Sequence, residues 1–481
     1  MIPTLLTLTL VVAYIVLLFV VSQLSGSNHT VATPKRYPRW VVTLAMVGAA
    51  ITGITFISLP GSVGEDAFSY LQMNLGFIVA YVVIAYWLIP LYYRHNVVSL
   101  YEYLNSRFGK VSHTAGAWLF LVAKILGAAL KVFVVCLVLQ QLLGSALGAP
   151  FWVTATLFMA LAWLYTHRGG ISSVIWADLI KTFCMIACVT ISMIFVLRAI
   201  DLSVFEALKE GREQGLTQMF FIDDINTPRH FLKLFLSGVF IVIATTGLDQ
   251  DLMQRVLSSD SLRSAQRNMV LSSFIQVAII ALMLILGSFF FLYLGKKGIE
   301  GITADEVFAF VSSQSEMPMI MGSLLVLGVV ATSFSAIGGS LTALTTSFMV
   351  DILHGRQRFE PQQYKKINNI VHLVMTVIMV ATIIGFKLWG DGRSLNLYFK
   401  MSSYTFGPLL GMFTFGFFSK RKVCDRWVPL VILLAPAISL LLDLNSQAWF
   451  DGYKFGYDIL LVNAVLTMLG LLIISKPEDK K

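Results

Sequence analysis

GITFISLPG (Gly53–Gly61) and ATTGLDQD (Ala244–Asp251) decide the fold, because each interrupts an apolar segment long enough to cross a bilayer. The first stretch combines Gly, Thr, Ser and Pro near the outer half of its segment, and the second places Thr-Thr-Gly beside two acids. Such interruptions free backbone carbonyls and amides, which a membrane tolerates only where they are buried in protein or line a cavity. Each stretch lies in the first helix of a set of five. This pairing indicates an inverted-repeat transporter with its site at the midplane, and two ordinary helix kinks are the alternative.

The composition predicts an all-α polytopic membrane protein. The 481 residues are 57% hydrophobic and 13% charged, with a mean hydropathy of +0.79, whereas soluble domains carry about 25% charged residues. The four cysteines lack CxxC spacing, so we expect free thiols and neither disulfides nor a zinc site. Hydropathy predicts about 13 crossings, near residues 2–24, 38–62, 72–93, 112–144, 151–166, 171–198, 230–254, 264–294, 318–350, 366–388, 394–418, 426–442 and 456–475.

The basic residues predict the orientation in the membrane. With the N-terminus outside, the inward-facing loops hold most of the 35 Lys and Arg residues, which places the C-terminus in the cytoplasm. The net charge of +9 is spread over many loops, so nucleic-acid binding is not expected. The first apolar run has no cleavage site and is expected to be a retained helix. The predicted units are an extra helix and cytoplasmic loop (1–37), a first five-helix repeat (38–198), an extracytoplasmic loop (199–229), a second five-helix repeat (230–418), and two C-terminal helices with a cytoplasmic tail (419–481).

A stripe of hydroxyl groups follows in ATSFSAIGGSLTALTTSFMVD (Ala331–Asp351), an apolar segment with eight Ser and Thr residues. Helical spacing places one set on a single face, namely Thr332, Ser335, Gly339, Thr342 and Thr346. The stripe has two interpretations: close packing of small residues between helices, or a row of oxygen ligands for a hard cation such as Na+.

Two lysines lie inside another apolar run. Lys124 and Lys131 are two turns apart on one helix face, and a lysine at membrane depth is costly unless it is functional or paired. Each either serves a ligand or pairs with an acid such as Asp249. The lone His372 is expected to be a packed side chain.

The chain resembles the sodium/solute symporter family, which has a LeuT-type fold, from about Trp40 to Phe418. Besides the first interrupted helix, four stretches carry the resemblance: LIPLYYRHNVVSLYEYLNSRFG (Leu88–Gly109), RGGISSVIWADLIK (Arg168–Lys181), GLDQDLMQR (Gly247–Arg255) and YTFGPLLGMFTFGFF (Tyr404–Phe418). The resemblance implies a 5+5 inverted repeat whose first and sixth core helices are broken.

The resemblance also implies a sodium site. Its ligands would be the carbonyls of Gly48 and Ile51 together with three positions of the hydroxyl-rich helix, Thr332, Ser335 and Ala336. Relatives have a hydroxyl residue at the last position, so Ala336 removes one oxygen, and Thr332 could restore one.

A second sodium, found in some members, is not expected here. Its aspartate is present as Asp178, but its hydroxyl partners fall on Gly338 and Gly339, which have no side-chain oxygen. We expect Asp178 to form an intramembrane ion pair with Lys181, which lies three residues away on the same helix face.

For the solute, the resemblance nominates the positions that face the broken helices. These are Thr52, Thr55, Gln72, Asn74, Thr245, Thr246, Lys400, Ser402 and Tyr404. Sugar-transporting members have Tyr-Trp where this chain has Thr245-Thr246, which argues against a plain hexose unless Phe56 or Tyr404 supplies the aromatic ring. A sialic-acid-transporting relative holds a carboxylate with a basic residue on the helix of Lys131, which favours an anionic solute such as a carboxylate or sugar acid.

The sequence therefore predicts a monomeric, multi-pass plasma-membrane or inner-membrane transporter that imports a small polar solute with Na+ by alternating access. The alternative is the same fold with coupling lost or changed to H+, given Ala336 and the Gly338-Gly339 pair. A membrane enzyme or sensor is disfavoured because the chain has no Walker loop, HExxH, GxSxG or Cys/His cluster. No cofactor other than the coupling ion is expected.

Overall fold

The computed structural model describes residues 2–25, 37–95, 101–140, 148–257, 259–389 and 394–477; within them, the side chains of 165–174 and Ser335 are among those left undescribed. The described part of the N-terminal half consists of helices and the loops between them. Its helices are α1 (Ile2–Ser25), α2 (Arg39–Ala50), α3 (Gly53–Asp66), α4 (Tyr70–Val83), α5 (Ile89–His95), α6 (Glu102–Arg107), α7 (Lys110–Leu139), α8 (Phe151–Ile200) and α9 (Val204–Glu213).

The C-terminal half adds further helices and one short strand pair. These are α10 (Phe231–Val242), α11 (Gln250–Leu257), α12 (Leu262–Lys297), α13 (Val307–Ser312), α14 (Met319–Ser347), α15 (Gly355–Arg358), α16 (Pro361–Trp389), α17 (Ser394–Phe418), β1 (Lys422–Val423), α18 (Val428–Leu444), α19 (Ser446–Trp449), α20 (Ile459–Ile473) and β2 (Ser475–Lys476). The strands β1 and β2 are antiparallel.

The first broken helix consists of α2 and α3, which meet at 61°. Between them Ile51 (φ −87°, ψ 118°) and Thr52 (φ −112°, ψ 171°) are extended. The break therefore lies just before the predicted stretch, and Gly53–Gly61 itself is helical. Gly53 starts α3 in close contact with α14, since a Cβ there would lie 2.8 Å from Ser333 Oγ.

The second broken helix consists of α10 and α11. After Val242 the chain makes a π-helical turn over Ile243–Gly247, and Leu248 and Asp249 leave the helix before α11 begins. The interruption predicted within Ala244–Asp251 is thus present.

Helix α8 contains two predicted crossings, and its contacts show that it reverses direction. The rings of Phe158 and Phe334 lie 4.9 Å apart, and a Cβ on Gly328 would lie 3.7 Å from the Cβ of Cys188. Gly328 and Phe334 are only about 9 Å apart along α14, whereas residues 158 and 188 of a straight helix would be about 45 Å apart. The helical backbone must therefore turn back between Phe158 and Cys188.

The described helices are suited to a bilayer. Seven are long and apolar enough to cross it, and the bent pair of α2 and α3 makes an eighth. Four shorter apolar helices, Leu6–Leu18, Phe151–Leu164, Phe231–Gly247 and Ile459–Ile473, fall on other predicted crossings. The total of about 13 crossings stays a prediction.

Candidate functional site

A cavity lies where the two broken helices face each other. It encloses about 1020 Å³ of empty space, including the part open to solvent. Its walls come from the ends of α2 and α3 and from α4, α7, α10, α11, α12, α14 and α17. Because both breaks open onto it, backbone and side-chain oxygens are available inside an otherwise apolar bundle.

Four threonines from the two breaks line this cavity. Thr52 and Thr55 come from the first break, and Thr245 and Thr246 come from the second. The hydroxyl of Thr245 donates to the carbonyl of Ile241 at 2.8 Å, which leaves its oxygen lone pairs able to accept. The predicted solute-facing threonines thus come together in one place.

The residues nominated for sodium occupy the end of α2 and the middle of α14. Ile51 and Ala336 both line the cavity. Gly48 packs against α8 so closely that a Cβ would lie 2.5 Å from the carbonyl oxygen of Asp178 and 2.7 Å from Thr182 Oγ1. The helix stops at Ala50, where the Ile51 N–H still donates to the carbonyl of Val47 at 3.0 Å, so the carbonyls that follow Val47 are the ones that helix termination leaves available.

Thr332 lies beside the first break rather than in the cavity wall. It is fully buried, its hydroxyl donates to the carbonyl of Val329 at 2.9 Å, and a Cβ on Gly53 would lie 3.2 Å from its Oγ1. The side chain of Ser335 lies outside the described part of the chain. The cavity face of α14 is instead formed by Ala336 and Ser340, one turn apart.

Lys131 points an ammonium group into the cavity. Its Nζ lies 4.6 Å from the ring centroid of Tyr398, and both residues line the space. A cation–π contact holds the charge without neutralising it. Lys131 is therefore positioned to meet an anionic group.

Lys124 lies on the same helix face as Lys131, but it is paired with an acid. Its Nζ donates to Asp249 Oδ2 at 2.6 Å, and both side chains are nearly buried in the cavity wall. Of the two interpretations given to this lysine by the sequence, pairing with Asp249 is the observed one.

Asp178 lies in a buried cluster with two basic residues. Arg255 Nε donates to Asp178 Oδ2 at 3.0 Å, and Lys181 Nζ lies 3.8 Å from Oδ1. The sequence nominated only Lys181, so it missed the nearer partner. Arg255 is the last residue of the GLDQDLMQR stretch. An arginine in a membrane-embedded segment needs a partner, and this is the signal by which its pairing with an acid could have been found.

Two predicted solute residues are placed elsewhere. Gln72 accepts from the N–H of Phe221 at 3.2 Å and donates to the carbonyl of Arg229 at 3.1 Å, so it anchors the loop before α10. Asn74 is fully buried and donates to the carbonyl of Tyr70 at 2.7 Å. Neither residue lines the cavity. Gln72 lies on the opposite face of α4 from the lining residues Tyr70 and Phe77, so the geometry does not support its predicted contact with solute. Asn74 shares the face of Tyr70 and Phe77, and its predicted contact with solute stays a prediction.

Two of the three residues nominated on α17 face away from the cavity. Lys400 Nζ lies 2.7 Å from Asp443 Oδ2 of α18, and the Tyr404 hydroxyl donates to the same oxygen at 2.6 Å. Lys400 and Tyr404 are i and i+4 residues on one face of α17, and this face is turned to α18, so the geometry does not support their predicted contact with solute. The third residue, Ser402, is buried and shares a helix face with Tyr398 and Phe406, which line the cavity, so its predicted contact with solute stays a prediction.

Aromatic rings missed by the sequence fill much of the wall. They are Tyr70, Phe77, Tyr81, Tyr398, Phe399 and Phe406. The two rings suggested as substitutes lie elsewhere: Phe56 is fully buried against Phe308, with centroids 5.5 Å apart, and Tyr404 is engaged by α18.

Comparisons with known proteins agree on one family. The profile of the sodium:solute symporter family matches residues 34–424. The sodium/sialic acid symporter SiaT of Proteus mirabilis is 23% identical over 88% of this chain and 85% of that protein. The mouse sodium-coupled monocarboxylate transporter 1 is 24% identical over 78% of this chain and 61% of that protein. The sodium/glucose cotransporter of Vibrio parahaemolyticus is 19% identical over 93% of this chain and 85% of that protein.

Solved structures agree on the fold. The substrate-bound outward-open state of a Na+-coupled sialic acid symporter superposes with a TM-score of 0.83 at 19% identity, over 98% of this chain and 99% of that one. A nucleobase-cation-symport-1 family transporter in a closed conformation with bromovinylhydantoin bound gives 0.59 at 13% identity, over 92% and 94% of the two chains.

Proposed function

Because the chain belongs to the sodium:solute symporter family, whose members are transporters and not enzymes, we propose that it imports a small anionic organic solute together with Na+ by alternating access. The solute class is a carboxylate or sugar acid. The observation that carries this proposal is Lys131, an ammonium group in the wall of a cavity between two broken helices.

The neighbours of Lys131 suit an oxygen-rich solute. Four threonine hydroxyls accompany the lysine, and Tyr81 and Tyr398 add phenol groups to the same wall. A carboxylate on Lys131 would be a charge-assisted contact inside a site with little water. The relatives that carry sialic acid or monocarboxylates support this class of solute.

For sodium we propose the region where the end of α2 meets α14. The ligands would be the carbonyls of Gly48 and Ile51 with oxygens from Thr332 and Ser335. Ala336 contributes only its backbone, so we expect weaker sodium binding than a hydroxyl there would give. Hard cations such as Na+ favour oxygen ligands of this kind.

We also propose the wider architecture given by the family. It comprises two five-helix repeats (38–198 and 230–418), an N-terminus outside and a C-terminus in the cytoplasm, and a monomer in the cell membrane. The two interrupted helices support the repeats, since each opens the set of five to which it belongs.

A second candidate is the same transporter with proton coupling or no ion coupling. It is favoured by one observation: the carboxylate of Asp178 already has Arg255 at 3.0 Å and Lys181 at 3.8 Å. The carboxylate that the resemblance assigns to a second sodium site thus already has the protein's own cations beside it, which supports transport without that second sodium.

A thermal-shift screen of the purified protein tests the solute class. Sugars, sugar acids, monocarboxylates and amino acids are compared, each with NaCl and with choline chloride. We expect stabilisation by a sugar acid or monocarboxylate that increases with Na+, because a ligand stabilises in proportion to the logarithm of its concentration over Kd. Stabilisation by neutral sugars alone would reject an anionic solute.

A further inference from the structure

A groove on the outside of the bundle separates the beginnings of α7 and α18. Its apolar walls are formed chiefly by Ala115, Trp118 and Val122 of α7 and by Ile432 and Leu433 of α18. It encloses about 1180 Å³ of empty space, including the part open to its surroundings. Both helices are among the candidate membrane spans, so the groove faces the acyl chains of a bilayer.

Positive charge lies at one end of this groove. Lys110, the first residue of α7, lines it and is exposed. The Asp425 carboxylate accepts from the N–H groups of Val111 and Ser112 at 2.9 and 2.7 Å, which fixes the start of α18 beside Lys110. The exposed Arg426 is therefore held at the same end. Among the described residues, neither Lys110 nor Arg426 has a carboxylate partner within salt-bridge distance, because Asp425 is engaged by the helix.

The adjoining strand pair adds a second observation that points to an anion. In β1 and β2, Lys422 lies directly opposite Lys476, and both are exposed. Like charges opposite each other destabilise an antiparallel pair unless a counter-charge is bound. Trp427, 52% exposed, follows Arg426, and tryptophan is typical of the level of the lipid headgroups.

We propose that this groove binds one anionic phospholipid. Its phosphate lies between Lys110 and Arg426, and one acyl chain runs along Ala115 and Trp118. Trp118 is eight residues beyond Lys110, about 12 Å deeper along the helix axis, which is the direction from headgroup to chain. Basic pockets between transmembrane helices recognise anionic headgroups in this way. A soluble anion would use the charges but not the groove.

Native mass spectrometry of the full chain tests the proposal. The protein is equilibrated in micelles with equal phosphatidylglycerol and phosphatidylcholine of the same chain length. We expect one retained phosphatidylglycerol, favoured roughly 30-fold because each of the two basic residues near the surface adds about fivefold. Lys110→Ala with Arg426→Ala should reduce that preference to about parity. The matched control is Lys365→Ala with Lys366→Ala, two exposed lysines of α16, which should leave it unchanged.

A groove-filling variant makes the test independent of charge. Ala115→Phe should lower retention of both lipids, whereas Ala381→Phe on an exposed position of α16 should not. An unchanged phosphatidylglycerol preference in the double variant, or unchanged retention in Ala115→Phe, would overturn the proposal. So would a dimer that Ala115→Phe dissociates, because the groove would then be covered by a second copy of the chain.

Discussion

Both broken helices interrupt the regular helical backbone, but they differ in the side chains that they place at the break. The first break, at Ile51 and Thr52, contributes no charged side chain, and it presents extended backbone and hydroxyl groups to the cavity. The second break is charged: Asp249 pairs with Lys124, and Arg255, six residues further on, pairs with Asp178. The comparison teaches that an interrupted helix can either leave oxygens available for a cation or be tied to its neighbours by ion pairs.

Removing the ion pair between Arg255 and Asp178 at the second break should have the largest effect on stability and transport. Arg255→Ala leaves the buried carboxylate of Asp178 without its nearer partner, and breaking a buried pair costs about 3–5 kcal/mol. We expect a much lower melting temperature and loss of uptake, measured by thermal denaturation in detergent and by transport in vesicles.

Arg255→Lys should give an intermediate loss, because an ammonium group cannot reproduce the planar guanidinium contact. The control is Arg267→Ala, an exposed arginine on α12. If Arg255→Ala melts like the wild type, the second break is not held by this contact.

Lys131→Met should weaken binding of an anionic solute by about 10- to 100-fold, the value of a hydrogen bond to a charged group. Lys131→Arg should retain most of the affinity. The measurement is the Kd for the best anionic ligand by calorimetry.

Lys124→Met provides the contrast, because it should mainly lower the melting temperature by leaving Asp249 without its partner. Equal affinity in Lys131→Met and wild type would remove Lys131 from the solute site.

At the first break, Ala336→Ser adds an oxygen next to the proposed sodium ligands. We expect sodium affinity to rise about fivefold, on the order of 1 kcal/mol, seen as a lower Na+ concentration for half-maximal uptake. Ala336→Val adds bulk without an oxygen and should not improve affinity. Improvement by Val as much as by Ser would show that packing, not coordination, is affected.

Tyr404→Phe should have the smallest effect. It removes one of the two contacts to the Asp443 carboxylate, while Lys400 still pairs with that group. Solute affinity should stay within about twofold of wild type, since Tyr404 faces α18 and not the cavity. A tenfold loss of affinity would restore Tyr404 to the solute site.

The sequence predicted which helices break, because Gly, Thr and charged residues are costly in apolar segments. The four threonines that it nominated for the solute line one cavity. The sequence did not predict that Lys400 and Tyr404 face α18, since apolar residues surround α17 and its periodicity is weak. Lys181 could be predicted as a partner of Asp178 because the two residues are three positions apart on the same helix. Arg255 is 77 positions away, and only the tertiary fold brings its side chain to that carboxylate.

Uptake of the identified anionic solute into proteoliposomes, with the membrane potential clamped, tests the central claim most directly. We expect uptake with an inward Na+ gradient, little uptake in choline, and no effect of a protonophore. Equal uptake in choline and Na+ would contradict sodium coupling. Uptake in sodium-free buffer that the protonophore abolishes would replace it with proton coupling.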